Sequence, residues 1–125
     1  NFLDEKGENK LSLSSNSLIF IESADNYVEI NYVSQNKINK FLLRNSMKRM
    51  EEILVGTNVC RCHRSFIVNM EHVTAMRRNG DELEMEFRIP EIKKIPISKT
   101  YAEKVSEMFM HLAPKISAET SSASN

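Results

Sequence analysis

Tryptophan is absent, glycine occurs three times and cysteine twice, and no apolar run approaches membrane-spanning length. Each shortage closes a class of function. With so few glycines there is no Gly-rich loop to cradle a nucleotide's phosphates. Two cysteines are too few for the disulfide framework of a small secreted domain, which fits a reducing compartment. A bilayer-crossing helix needs about 20 mostly apolar residues. Neither that nor a basic-apolar-small leader occurs, so the expectation is a soluble, cytoplasmic protein. Net charge is also lacking, because 17 Lys and Arg balance 17 Asp and Glu. That balance argues against a polycation that coats nucleic acid or membrane indiscriminately.

The chain has 125 residues, enough for one domain with one core. Its charge is unevenly spread: residues 40–104 hold thirteen bases against nine acids, and the bases bunch in "LLRNSMKRM", "RCHR", "MRR" and "IKKIPISK". Where charge sits, more than its total, decides where a polyanion docks. The polar first residues, 1–9, read as linker. The domain is expected over 10–112, and "SAETSSASN" lies in an expected disordered tail, 113–125.

"LIFIESADNYVEI" reads as strand, tight loop, strand, followed by a polar gap, "SQNKIN". In "LLRNSMKRMEEILVG", Asn45 or Ser46 can cap a short helix striped by Met47, Met50, Ile53 and Leu54, with Gly56 to end it. "VCRCHRSFIVNMEHV" reads as a kinked strand and a second short strand. Asn79-Gly80 signals a hairpin joining "VTAMRR" to "ELEMEF". Finally "IPIS" gives a strand, and Tyr101, Ala102, Val105, Met108, Phe109 and Leu112 mark one face of a closing helix. The fold class is therefore mainly β, antiparallel because the connections are too short for parallel crossovers, with two short α-helices.

The cluster of Cys60, Cys62 and His63 invites a metal reading, but strand alternation places the two cysteines on one face and His63 on the other. Structural zinc takes four converging ligands, and His72 and His111 belong to no second Cys-rich pair. The cysteines read as small apolar groups on a half-buried strand. The same alternation separates the members of "CHRS", and no nucleophile elbow or acidic pair occurs elsewhere, so no enzyme, metal or cofactor is expected. The segments "ADNY", "LRNSMKR" and "PISKTY" are different. Each joins a turn or helix start to bases, amides or hydroxyls, the groups that hold phosphates and read base edges.

In this order, "LIFIESADNYVEI", "LLRNSMKRMEEIL", "VCRCHRSFIVNMEHV" and "IPISKTYAEKV" resemble four segments of LytTR-type DNA-binding domains. The third carries the family's Arg-x-His-Arg-Ser-aromatic-Ile-Val-Asn signature, and the resemblance covers roughly residues 10–110. It implies elongated antiparallel β-sheets and a transcriptional role, as the C-terminal output module of a bacterial two-component response regulator that inserts loops into successive DNA major grooves. It also implies double-stranded promoter repeats as partner, with dimerisation through an N-terminal domain outside this chain and no membrane contact. By the same resemblance, the DNA-facing residues are Asp25, Asn26 and Tyr27 in a first loop, Asn45 and Ser46 with Arg44 and Lys48 in a second, and Lys99 with Tyr101 in a third. His63 and Arg64 are read as mainly structural or phosphate-adjacent. The chain departs from the pattern at Lys99, where the family commonly has Arg; lysine reaches guanine without the planar fork. A protein-interaction module and an RNA-binding β-domain are the alternatives, the latter needing exposed stacking aromatics, for which Tyr27, Tyr32 and Tyr101 are the candidates.

Overall fold

The apolar runs "LIFI" and "FIV" are continuous rather than alternating because both faces of their strands are buried. In a computed structural model, which describes residues 1–124 and side-chain surroundings for residues 1–112, these runs form β3 (Leu18–Ala24) and β7 (Phe66–Asn69). The two strands pair at the middle of a five-stranded antiparallel sheet of order β5-β4-β3-β7-β6. The other members are β4 (Tyr27–Ser34), β5 (Lys37–Leu43) and β6 (Val59–His63). Period-2 alternation sends Ile21 and Ile67 to one face, and Phe20, Phe66 and Val68 to the other.

The first face is covered by a hairpin of β1 (Phe2–Leu3) and β2 (Asn9–Leu11) and by α1 (Met47–Ile53). Phe2, Met47 and Met50 pack there with Ile21, Val28, Ile30 and Leu43. The opposite face is covered by a three-stranded sheet of β8 (Val73–Asn79), β9 (Glu82–Phe87) and β10 (Ile95–Ile97), and by α2 (Lys99–Ser124). Met85, Phe87, Ile95, Ile97 and Val105 close that core. Each fully buried side chain of this kind contributes about 1.5–3 kcal/mol.

Antiparallel pairing throughout and the mainly β content agree with the sequence reading. So does the kink in β6, a register shift between Arg61 and His63. Cys60 and Cys62 are free thiols turned into the core, and burial raises their pKa to about 11 and about 12. The signature asparagine, Asn69, is fully buried. Its amide donates to the carbonyls of Leu18 (2.8 Å) and Ser15 (3.1 Å), and its Oδ1 accepts from the Glu71 backbone (3.1 Å).

Three readings change. The polar gap "SQNKIN" is mostly strand: Gln35 and Asn36, at φ 54° and 61°, make a tight turn, and β5 runs from Lys37 as the sheet's edge. Lysines and asparagines suit an edge, where a flat apolar strand would invite mispairing. Residues 1–9, read as linker, instead supply β1 and the start of β2, and Phe2 is 5% exposed because its ring completes the core beneath α1. The closing helix α2, expected to be short, spans 26 residues. The expected C-terminal tail, 113–125, lies outside the residues whose surroundings are described.

Candidate nucleic-acid interface

Strand registers decide which loops meet. β3 climbs to a two-residue turn at Asp25-Asn26, flanked by the pair Ala24 and Tyr27. β4 descends from that turn and β5 climbs again, so Leu43, opposite Val28, delivers Arg44, Asn45 and Ser46 to the same end. β7 descends beside β3 from Phe66, opposite Glu22, which puts the β6–β7 turn, Arg64-Ser65, there as well. The Ser23 backbone N–H donates to the Ser65 carbonyl at 2.9 Å and fastens that turn to the first one. β10 ends where Ser98 donates its backbone N–H to the Cys62 carbonyl (2.9 Å), so Lys99 emerges at this end too. The three loops named from the sequence thus share one end of the five-stranded sheet, together with a fourth that carries Arg64.

Their side chains are committed to different degrees. Asp25, in the left-handed region at φ 55°, and Asn26 are exposed at the first turn. Tyr27, 39% exposed, lies under the Arg44 guanidinium, 5.6 Å from the ring centre. Arg44 also donates from Nε to Glu5 Oε1 at 2.7 Å. Those two partners, Glu5 first and Tyr27 second, hold the Arg44 pKa above its ordinary value.

Ser46 is the helix cap, its Oγ accepting from the Arg49 backbone N–H at 3.1 Å. Asn45 is not the cap. Its amide donates to the Leu3 carbonyl (2.8 Å) and its Oδ1 accepts from the Ser46 backbone (2.9 Å), so both ends of the side chain are in use. Lys48 is exposed. Tyr101, in the first turn of α2, packs on the core with the Arg61 guanidinium 5.9 Å from its ring.

Four bases at or beside this end, Lys48, Arg49, Arg64 and Lys99, are exposed and have no carboxylate partner among the described residues. Arg49 is not singled out by the sequence, and Arg64 is read there as mainly structural or phosphate-adjacent. For Arg64 the signal was available, since it sits at the turn between two strands in the signature. His63 is structural: its Nδ1 accepts from the Ser65 N–H (3.1 Å), which fixes the tautomer with hydrogen on Nε2. Arg61 was missed altogether. Its Nη2 donates to the Arg64 carbonyl (2.7 Å), its Nε to the His63 carbonyl (3.3 Å) and its Nη1 to Glu51 on α1 (3.3 Å). One guanidinium therefore ties the β6–β7 turn to α1 and faces α2.

The chain matches the family described as the LytTr DNA-binding domain over residues 8–110. Among solved structures it is similar to the "LytTr DNA-binding domain of putative methyl-accepting/DNA response regulator" from Bacillus cereus. That likeness has a TM-score of 0.65 at 21% identity, over 78% of this chain and 85% of the other, and it concerns the fold. No curated protein matches the chain.

Proposed function

The chain belongs to the LytTr family of DNA-binding domains, and on that premise we propose that it is the DNA-reading module of a transcription regulator that presents loops, rather than a helix, to the major groove. The observation that carries this reading is the gathering of Asp25–Tyr27, Arg44–Lys48, Arg64 and Lys99 at one end of a rigid sheet. A sheet buried on both faces holds its end loops in fixed relation, which is what reading neighbouring stretches of a duplex demands.

Roles follow from what each side chain is already doing. Arg64 and Lys99 can offer guanidinium and ammonium donors to guanine O6 and N7, while Asn26 can present an amide to adenine. Lys48 and Arg49 hold backbone phosphates, with Ser46 setting their direction by capping α1. Arg44, Asn45 and Tyr27 shape the second loop. Asp25, at the turn tip, can accept from a cytosine amine. Tyr101 supports Lys99 from the core and is a packing residue.

The chain acts as a non-enzymatic output module, with double-stranded promoter DNA as partner. Repeated sites and dimerisation through a further domain are part of the same proposal, as is a cytoplasmic location; among the described residues no helix is long and apolar enough to cross a membrane. RNA recognition by stacking lacks a platform among the described residues, because Tyr32 and Tyr101 pack against the two cores and the exposed Tyr27 lies beneath the Arg44 guanidinium.

Selecting bound duplexes from a random pool with the purified chain, then measuring affinity against salt, tests the reading. Four or five phosphate contacts give a log-log slope of about −3.6 to −4.5, at about 0.9 per contact. A flat salt response, or no enrichment of any sequence, contradicts it.

A further inference from the structure

The loop between β1 and β2 places an acid against a base of the second loop. The Glu5 backbone N–H donates to the Arg44 carbonyl at 2.9 Å, and its carboxylate accepts from Arg44 Nε at 2.7 Å. The neighbouring Leu3 carbonyl takes the Asn45 amide at 2.8 Å. A groove of about 700 Å³ runs between this loop and α1, and Asn45, Lys48 and Arg49 line its far wall. The hairpin is anchored, because Phe2 is buried beneath Met47 and Met50 and the Asp4 carboxylate accepts the backbone N–H groups of Lys6 and Glu8, both at 2.9 Å. Glu5 is thus held against Arg44 by structure rather than by chance encounter.

We infer that Glu5 is an affinity-determining residue of the DNA interface: its carboxylate competes with backbone phosphate for Arg44. The inference rests on the DNA-binding reading above. Phosphate binding at Arg44 requires the guanidinium to leave Glu5, and the displaced carboxylate then faces the phosphates as a like charge. Both effects lower the intrinsic affinity of the second loop. Because the Glu5–Arg44 pair is half-exposed, its strength is that of a surface ion pair, so the restraint is modest and salt-sensitive. The domain therefore holds one of its basic groups in reserve, released when the hairpin's acid is removed or drawn aside.

The test measures binding of the full chain to a duplex selected from a random pool, across a salt series, for wild type, Glu5→Gln and Glu52→Gln. Glu52 lines the same groove, is exposed and has no ion-pair partner among the described residues, so its replacement removes the same charge without freeing Arg44. Glu5→Gln is expected to bind about two- to fivefold tighter at low salt, with a salt slope steeper by about 0.9 as one more phosphate is engaged. Glu52→Gln should leave the slope unchanged. In an Arg44→Ala background the gain from Glu5→Gln should shrink to that of Glu52→Gln. Equal gains for the two glutamines, an unchanged slope, or a gain that survives Arg44→Ala would each overturn the inference. Salt-independent binding by the wild type would instead overturn the DNA-binding reading itself.

Discussion

Two basic segments stand at the same end of the same sheet and differ in how much of their chemistry is already spent. Around Arg44 and Asn45 three successive polar side chains have partners within the chain: Glu5 for Arg44, Leu3 and Ser46 for Asn45, the Arg49 backbone for Ser46. Around Arg64 and Lys99 the reverse holds. There Arg61 and His63 satisfy the local backbone, and the two cationic side chains are left exposed without a carboxylate partner among the described residues. Residue type alone, Asn and Arg against Arg and Lys, suggests equal candidates for base contact. The bonds already made separate a shaping loop from a reading one.

The largest expected effect breaks the comparison on its bare side. Arg64→Ala should cost about 1–3 kcal/mol on a selected duplex and far less on random DNA, so the preference between them narrows; paired titrations on the two duplexes measure it. Loss of equal size on both would make Arg64 a phosphate contact.

On the spent side, Asn45→Ala should cost about 1 kcal/mol of folding stability, because the Leu3 carbonyl and Ser46 N–H lose their partner. The ratio of selected to random binding should stay as it is. Thermal unfolding alongside affinity shows which has moved.

Lys99→Arg sharpens the comparison. A planar fork at this position should improve discrimination for guanine over its competitors by up to about 1 kcal/mol without altering stability. Selection repeated with the variant reads it directly. Smallest of all, Lys48→Ala should weaken selected and random duplexes alike and make the salt slope shallower by about 0.9, which a salt series resolves.

Much of the fold was legible because it rests on local pattern. Continuous apolar runs marked the twice-buried strands β3 and β7, Asn79-Gly80 announced the β8–β9 hairpin, and "NSM" announced α1. What escaped depends on distant partners. β5 is polar because it is an edge, and that is visible only once its neighbour β4 is placed. The β1–β2 hairpin has few apolar residues to declare it, and Phe2 earns its burial from α1, some 45 residues on. The site divides in the same way. The loops' gathering followed from strand order, but the Glu5–Arg44 pair spans 39 positions, and Arg61's hold on Glu51 and the Arg64 carbonyl needs both α1 and the turn in place.

The contrast between a reading loop and a shaping loop is tested most directly by one measurement: the ratio of selected-duplex to random-duplex affinity for Arg64→Ala beside Asn45→Ala, at one salt concentration, with both variants shown to be folded. The predicted result is a ratio that falls about tenfold for Arg64→Ala and stays at the wild-type value for Asn45→Ala. The reverse, an intact ratio in Arg64→Ala and a collapsed one in Asn45→Ala, would contradict it.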